Sequence, residues 1–116
     1  DPHAYGRYWA ARVEAMLRAC TDDRDLLPAE RTIDVHFRRF MENDLATVRD
    51  IYSVAGQPFT DLSLSEMRSF IARHQRGKHG RITYNLTDFG LDERERREAL
   101  RFYVERFGVD EEPLNA

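Results

Sequence analysis

The chain has 116 residues, of which 41% are hydrophobic, 34% charged and 11% aromatic, with a formal net charge of -3. This aromatic content indicates a folded segment rather than a disordered one, and the negative charge excludes a general nucleic-acid binder, which needs a basic excess. No apolar run approaches the ~18 residues of a spanning helix, so we expect no transmembrane segment. The single cysteine, Cys20, excludes an internal disulfide and favours a cytoplasmic location.

The first predicted element is a helix from His3 to Cys20. Apolar residues recur there at intervals of three and four, which is the helical period, and polar residues fall mostly on the other side. Gly6 weakens the first turn. We expect the apolar face to lie in a core: Tyr5, Trp9, Val13, Met16, Leu17 and Cys20.

A strand is predicted at Thr32 to Phe37, where the sequence TIDVHF alternates apolar and polar residues. A lone strand is unstable in water, so it must join a sheet. The sequence offers no second strand of similar quality. We therefore expect the sheet partners to lie outside this segment or in a second copy of the chain.

Two helices are predicted to follow the strand. Asn43 or Asp44 caps the first, and Gly56 is placed as its C-terminal left-handed residue. Ser63 and Glu66 form a capping box that opens the second. A strand followed closely by a helix is half of a βαβ unit, which predicts an α/β class with one good strand and about four helices.

The last predicted helix begins at Asp92, with Glu95 three residues later, and ends at Gly108. The run from Glu93 to Glu98 has mixed charge at helical spacing and is typical of a solvent-exposed face. An acidic tail without regular structure is expected over 109–116.

A glycine-rich basic stretch, Gln75 to Leu91 (QRGKHGRITYNLTDFGL), is predicted to carry the function. Glycine permits positive φ, so Gly77 and Gly80 can turn backbone N–H groups toward one anion, and arginine and lysine complement phosphate. The alternative is a solvated basic loop between two helices. The dipole at the C-terminal end of the preceding helix also disfavours an anion.

The sequence gives little indication of a metal site or of a nucleophilic catalytic site. The four histidines are scattered, so we expect no metal site, and no nucleophile–base arrangement can be read. We therefore leave the catalytic residue unassigned.

Several segments together resemble the C-terminal part of a bacterial, particularly actinobacterial, sulfotransferase that uses 3′-phosphoadenosine 5′-phosphosulfate. The resemblance spans about Tyr8 to Val109. Its most specific piece is GKHGRITYNLTDFGL, and the second is the predicted strand with FMENDLATVRDIY. Gln75 stands where cytosolic relatives have a basic residue, and Ile82-Thr83 replaces their Trp-Lys.

The resemblance implies a P-loop-kinase-like fold and transfer of a sulfuryl group to a hydroxyl or amine. Residues 1–116 would then be the C-terminal segment of that domain, without its phosphosulfate loop or catalytic base. This segment alone would be inactive. The acceptor would be a small molecule or of glycolipid type, with no metal and no nucleic acid involved. The positions carried over as nucleotide-binding are Arg76, Gly77, Lys78, Gly80 and, by charge alone, Arg81.

Two alternatives stay open. One is a small helical interaction module that pairs its strand and its Trp9 face with a partner chain. The other is a piece of a kinase-like phosphotransferase, which the missing GxxxxGK[ST] loop disfavours. An exposed apolar patch of several hundred Å² and no affinity for a bisphosphorylated nucleotide would favour the module.

Overall fold

Helices account for all the regular secondary structure of residues 1–114, the part of the chain that the computed structural model describes. Short 3₁₀ helices form at Arg24–Leu26, Ala29–Arg31 and Leu86–Phe89. The α-helices in chain order are α1 (Pro2–Asp23), α2 (Phe37–Glu42), α3 (Asp44–Val54), α4 (Asp61–Arg73), α5 (Glu93–Ala99) and α6 (Arg101–Phe107). The predicted α/β class is therefore wrong: residues 1–114 contain no strand and no sheet.

The segment predicted as a strand is extended but unpaired. Thr32 (φ -132°, ψ 138°) and His36 (φ -83°, ψ 127°) both have extended backbone, and Phe37 already begins α2. A strand requires a ladder of hydrogen bonds to a neighbour, and the described residues supply no neighbour. The alternating pattern thus predicted the backbone conformation here but not a sheet.

Side-chain caps fix the starts of four helices, and in α1 the cap is Asp1, which accepts a hydrogen bond from the N–H of His3 at 3.0 Å. Asn43 accepts a hydrogen bond from the N–H of Ala46 at 3.1 Å and caps α3, as predicted. Asp92 accepts from the N–H of Glu95 at 2.8 Å and caps α5, also as predicted. The predicted start of α4 is wrong, because Thr60 is its cap.

The cap of α4 lies three residues before the predicted one. Thr60 accepts from the N–H of Ser63 at 3.1 Å, which places Ser63 inside the helix rather than at its boundary. Both residues are good N-caps, and the earlier one adds a full turn of backbone hydrogen bonds. Glu66 therefore lies within α4 and is not a capping-box partner.

The helix ends show one further departure from the prediction and two agreements with it. The predicted last helix is interrupted at Leu100 (φ -101°, ψ 6°), which separates α5 from α6. Gly56 (φ 66°) and Gly108 (φ 61°) do take the left-handed conformation expected of them. Residues 109–114 form no helix, as predicted for the tail, while 115–116 lie outside the described residues.

The chain divides into two compact units. Unit 1 combines Asp1–Leu26 with the chain from Thr83 onward, and unit 2 is Leu27–Ile82. The predicted stretch Gln75 to Leu91 is split between them: its basic half belongs to unit 2 and its Phe89-Gly90-Leu91 end to unit 1. It is not one loop with one role.

Unit 1 is assembled around a close contact between α1 and the Leu86–Phe89 turn. Gly6 is the only buried residue in the described part of the chain, and a Cβ built on it would lie 2.9 Å from the Cβ of Phe89. The rings of Tyr5 and Phe89 also meet, with centroids 6.4 Å apart. Glycine at position 6 therefore has a packing role, because only a residue without a side chain lets the Leu86–Phe89 turn approach α1.

Ion pairs add to unit 1. Glu14 of α1 accepts hydrogen bonds from Arg18 at 3.2 Å and from Arg96 of α5 at 3.3 Å. Arg106 of α6 reaches Asp25 at 2.7 Å. Unit 2 has a long ion pair, between Arg38 and Glu42 at 3.9 Å, and an aromatic contact between Tyr52 and Phe59 with ring centroids 5.2 Å apart.

Neither unit has a buried hydrophobic side chain among the residues described. The predicted core face of α1 is exposed: Tyr5 is 60%, Trp9 46% and Met16 64% accessible. An amphipathic pattern predicts which face is apolar, but not whether the same chain supplies the surface that covers it. Among the described residues, no helix combines the length and apolarity needed to cross a membrane.

Candidate functional site

The candidate site is the turn that follows α4 in unit 2. Two hydrogen bonds shape it: the N–H of Lys78 donates to the carbonyl of Gln75 at 3.2 Å, and that of Gly80 to the carbonyl of Gly77 at 3.1 Å. Two short turns therefore follow each other directly. Every residue from 68 to 88 is exposed.

The two glycines are needed for their backbone conformation. Gly77 has φ 75° and Gly80 has φ 97°, both in the region that favours glycine. A Cβ built on either residue would meet nothing within 4 Å. The glycines therefore do not make room for a neighbour, but they allow the chain to turn twice within four residues.

Four backbone donors are left over by this geometry. The N–H groups of Arg76, Gly77, His79 and Arg81 make no hydrogen bond within residues 1–114, whereas those of Lys78 and Gly80 do. Unpaired amides in a tight glycine turn are donors for an anion. The turn therefore presents backbone N–H groups of the kind that bind anions.

The cationic side chains do not converge on one point. The Nζ of Lys78 donates to the carbonyl of Arg73 at 2.9 Å, which satisfies the end of α4. Arg76 donates to the sulfur of Met41, which lies in α2. Arg81 makes no hydrogen bond or ion pair in the described part of the chain. An anion would have to recruit Lys78 and Arg76 from these contacts.

The contact made by Lys78 also bears on the helix dipole. The C-terminal end of α4 carries partial negative charge that disfavours an anion. The ammonium group on the carbonyl of Arg73 offsets this charge, and the Nδ1 of His74 makes a second contact, 2.9 Å from the carbonyl of Phe70. The dipole of α4 therefore opposes anion binding at this turn less strongly in the structure than the sequence alone predicts.

The aromatic end of the predicted stretch has a structural role in unit 1. The N–H of Gly90 donates to the carbonyl of Thr87 and that of Leu91 to the carbonyl of Leu86, each at 3.0 Å. Gly90 has φ 69°, and a Cβ there would lie 2.9 Å from the ring of His3. This segment holds the chain against α1.

Sequence reasoning missed the pairing of Gly6 with Phe89 and of His3 with Gly90. A glycine inside a helical pattern signals close approach of another backbone, and that signal was present at position 6. The structure also shows no group of three or more His, Cys, Asp or Glu residues within 1–114 that could hold a metal.

Comparison of the chain with protein-family models, with curated proteins and with solved structures finds no match.

Proposed function

We infer that this chain is part of a sulfotransferase, and that the turn Arg76–Arg81 binds the phosphate groups of 3′-phosphoadenosine 5′-phosphate and its sulfated form. The observation that carries the proposal is the double turn itself. Two glycines with positive φ leave four unpaired amides in a turn that also carries the side chains of Arg76, Lys78 and Arg81. Amides and cations together form the usual complement of a phosphate.

The missing core supports the second half of the proposal, that this chain works with more polypeptide. Apolar side chains as large as Trp9 and Tyr5 are 46% and 60% exposed. A folded protein covers most such surface. The rest of the enzyme would cover the apolar face of α1 and supply the catalytic base, which we leave unassigned.

The chemistry asked of this turn is electrostatic. In sulfuryl transfer the S–O bond to the nucleotide phosphate breaks, a bond forms to the acceptor oxygen or nitrogen, and the acceptor loses its proton. Negative charge builds up on the departing nucleotide, much as in phosphoryl transfer. Donors fixed near that charge stabilise the transition state, so Arg76, Lys78 and the amide of Gly77 would act there. We place the reaction in the cytoplasm, with a small-molecule or glycolipid-type acceptor.

The test is calorimetric titration with 3′-phosphoadenosine 5′-phosphate, using the natural polypeptide that contains this chain. We expect Arg76→Ala and Lys78→Ala each to weaken binding about tenfold, which is ~1.4 kcal/mol. Arg94→Ala is the matched control, since Arg94 is an exposed cation in α5, outside unit 2. Tight binding untouched by either substitution would remove the turn from the site.

A different function is favoured if no nucleotide binds. The exposed face of α1, with Tyr5, Trp9 and Met16, would then be the functional surface of an interaction module that docks a partner protein. Absence of nucleotide binding in the natural polypeptide would contradict the enzyme proposal and favour the interaction module.

A further inference from the structure

The sequence around α4 concentrates positive charge. No acidic residue occurs between Glu66 and Asp88, whereas Arg68, Arg73, Arg76, Lys78 and Arg81 all lie there. This run therefore has a charge of +5, and because the whole chain has -3, the remaining residues carry -8. We call Arg68–Ile82, which lies within unit 2, the basic segment.

The positive charge of the basic segment is not neutralised internally. All five cations are exposed, and none forms an ion pair with any described residue. The contacts of Lys78 and Arg76 go to a carbonyl and to a sulfur, which leaves their charge intact. Within the part of the chain that the structure describes, the segment is an uncompensated cationic surface.

An exposed apolar side chain ends the same segment. Ile82 directly follows Arg81 and is 76% exposed. Covering it with polypeptide would desolvate the neighbouring cations, which is costly without acidic partners. The headgroup region of a membrane instead accepts apolar side chains and leaves adjacent cations beside lipid phosphates.

Ile82 also decides between two anionic macromolecules. A nucleic-acid backbone offers phosphates but no apolar layer for an aliphatic side chain. Base stacking relies on aromatic side chains, and apart from its histidines the basic segment contains one, Phe70, which has one face stacked on His74 at 4.1 Å. The combination of cations with an exposed isoleucine fits an anionic lipid surface better.

We propose that the basic segment binds the surface of membranes that contain anionic lipids, with Ile82 entering the headgroup region and the arginines contacting lipid phosphates. The proposal does not rest on the sulfotransferase proposal. Besides the cations of the turn it uses Arg68, Arg73 and Ile82, which lie outside the nucleotide-binding turn and so distinguish the two proposals. Such a surface would hold the protein at a membrane without any spanning helix.

The test is co-sedimentation of the natural polypeptide with vesicles of phosphatidylcholine, with and without about 30% phosphatidylserine, at physiological ionic strength. We expect binding to the anionic vesicles only. Each cation near an anionic surface strengthens binding about fivefold, so Arg68→Gln with Arg73→Gln should weaken it more than tenfold. Ile82→Ser should weaken it severalfold, and Arg94→Gln, the control, should leave it unchanged.

Three results would overturn the proposal: no binding to anionic vesicles, binding indifferent to Ile82→Ser, or equal binding to duplex DNA. The last two would indicate a general polyanion site. Titration of the same variants with 3′-phosphoadenosine 5′-phosphate separates the two proposals. Loss of vesicle binding with unchanged nucleotide affinity supports the membrane surface, and the nucleotide result alone decides the fate of the turn.

Discussion

Gly6 and Phe89 touch so closely that position 6 has no room for a side chain. A Cβ built on Gly6 would lie 2.9 Å from the Cβ of Phe89, and nearer still to the carbonyl oxygen of Phe89. At this residue helix propensity favours alanine, whereas packing against Phe89 favours glycine. Alanine favours a helix interior by about 1 kcal/mol over glycine, yet overpacking costs about 1–3 kcal/mol.

We therefore predict that Gly6→Ala destabilises the protein, contrary to helix propensity. The expected change is a loss of up to about 2 kcal/mol in the free energy of unfolding, the net of those two effects. Urea denaturation of the natural polypeptide measures it. Ala4→Gly, also in α1, is the matched control and should show the ordinary propensity loss. A stabilised Gly6→Ala variant would mean that the Phe89 turn does not pack on α1.

The ion pairs of Glu14 predict a dependence on acid. Hydrogen bonds from Arg18, and next from Arg96, hold the pKa of Glu14 below its usual value of 4.5, although desolvation opposes them. Because the folded pKa is the lower one, the unfolded chain takes up the proton first as the pH falls. The stabilisation from Glu14 is thus complete above about pH 4.5 and is lost as the pH falls through the folded pKa.

We expect Glu14→Gln to reduce the loss of stability below pH 4.5. Urea midpoints measured at a series of pH values give the slope. Glu66→Gln is the control, because Glu66 makes no hydrogen bond or ion pair with the described residues. If both variants lose stability in acid as the parent does, the pairs of Glu14 contribute nothing.

The glycines of the turn Arg76–Arg81 give a prediction that distinguishes a loss of nucleotide binding from the backbone strain that the substitution causes by itself. Alanine at positive φ costs about 1–2 kcal/mol, so Gly77→Ala or Gly80→Ala should shift the turn and weaken nucleotide binding. Gly56→Ala carries similar strain, since Gly56 has φ 66° and open space around it, but it lies outside the turn. Calorimetry should show lost affinity for the first two variants and none for the third. Equal affinity in all three would contradict the use of the turn's amides.

The exposed face of α1 predicts how surface substitutions behave in the natural polypeptide. If further polypeptide covers Met16, Met16→Glu buries an unpaired carboxylate and should cost about 2 kcal/mol or more. Ala11→Glu, on another face of α1, should change stability by less than about 0.5 kcal/mol. Thermal unfolding followed by circular dichroism reads out both. Similar small effects would mean that the face stays in water.

Local chemistry could be predicted from the sequence better than packing. Asn43 and Asp92 have capping side chains, and Gly77 and Gly80 lie where positive φ is needed, so these features follow from a few neighbouring residues. Thr60 and Ser63 are both good N-caps, and only the structure shows that the helix begins at the first of them.

Long-range relations were beyond the sequence. The residues around position 6 do not indicate that Gly6 contacts Phe89. The alternating pattern of TIDVHF likewise does not reveal whether a second strand is present to pair with it. The amphipathic pattern of α1 likewise left open what would cover Trp9. The nucleotide-binding role of Arg76, Lys78 and Arg81 stays a prediction, since the turn has a suitable backbone but its cations point to separate partners.

The division of the chain into units has a consequence for biosynthesis. Unit 1 needs both α1 and the Phe89 turn, yet all of Leu27–Ile82 is translated between them. At ordinary elongation rates this delay is roughly 3–10 s. During that time the tryptophan and tyrosines of the nascent α1 are on the ribosome without the Leu86–Phe89 turn that packs against Gly6. Unit 2, whose residues are contiguous, has no such wait, so unit 2 should acquire its structure first.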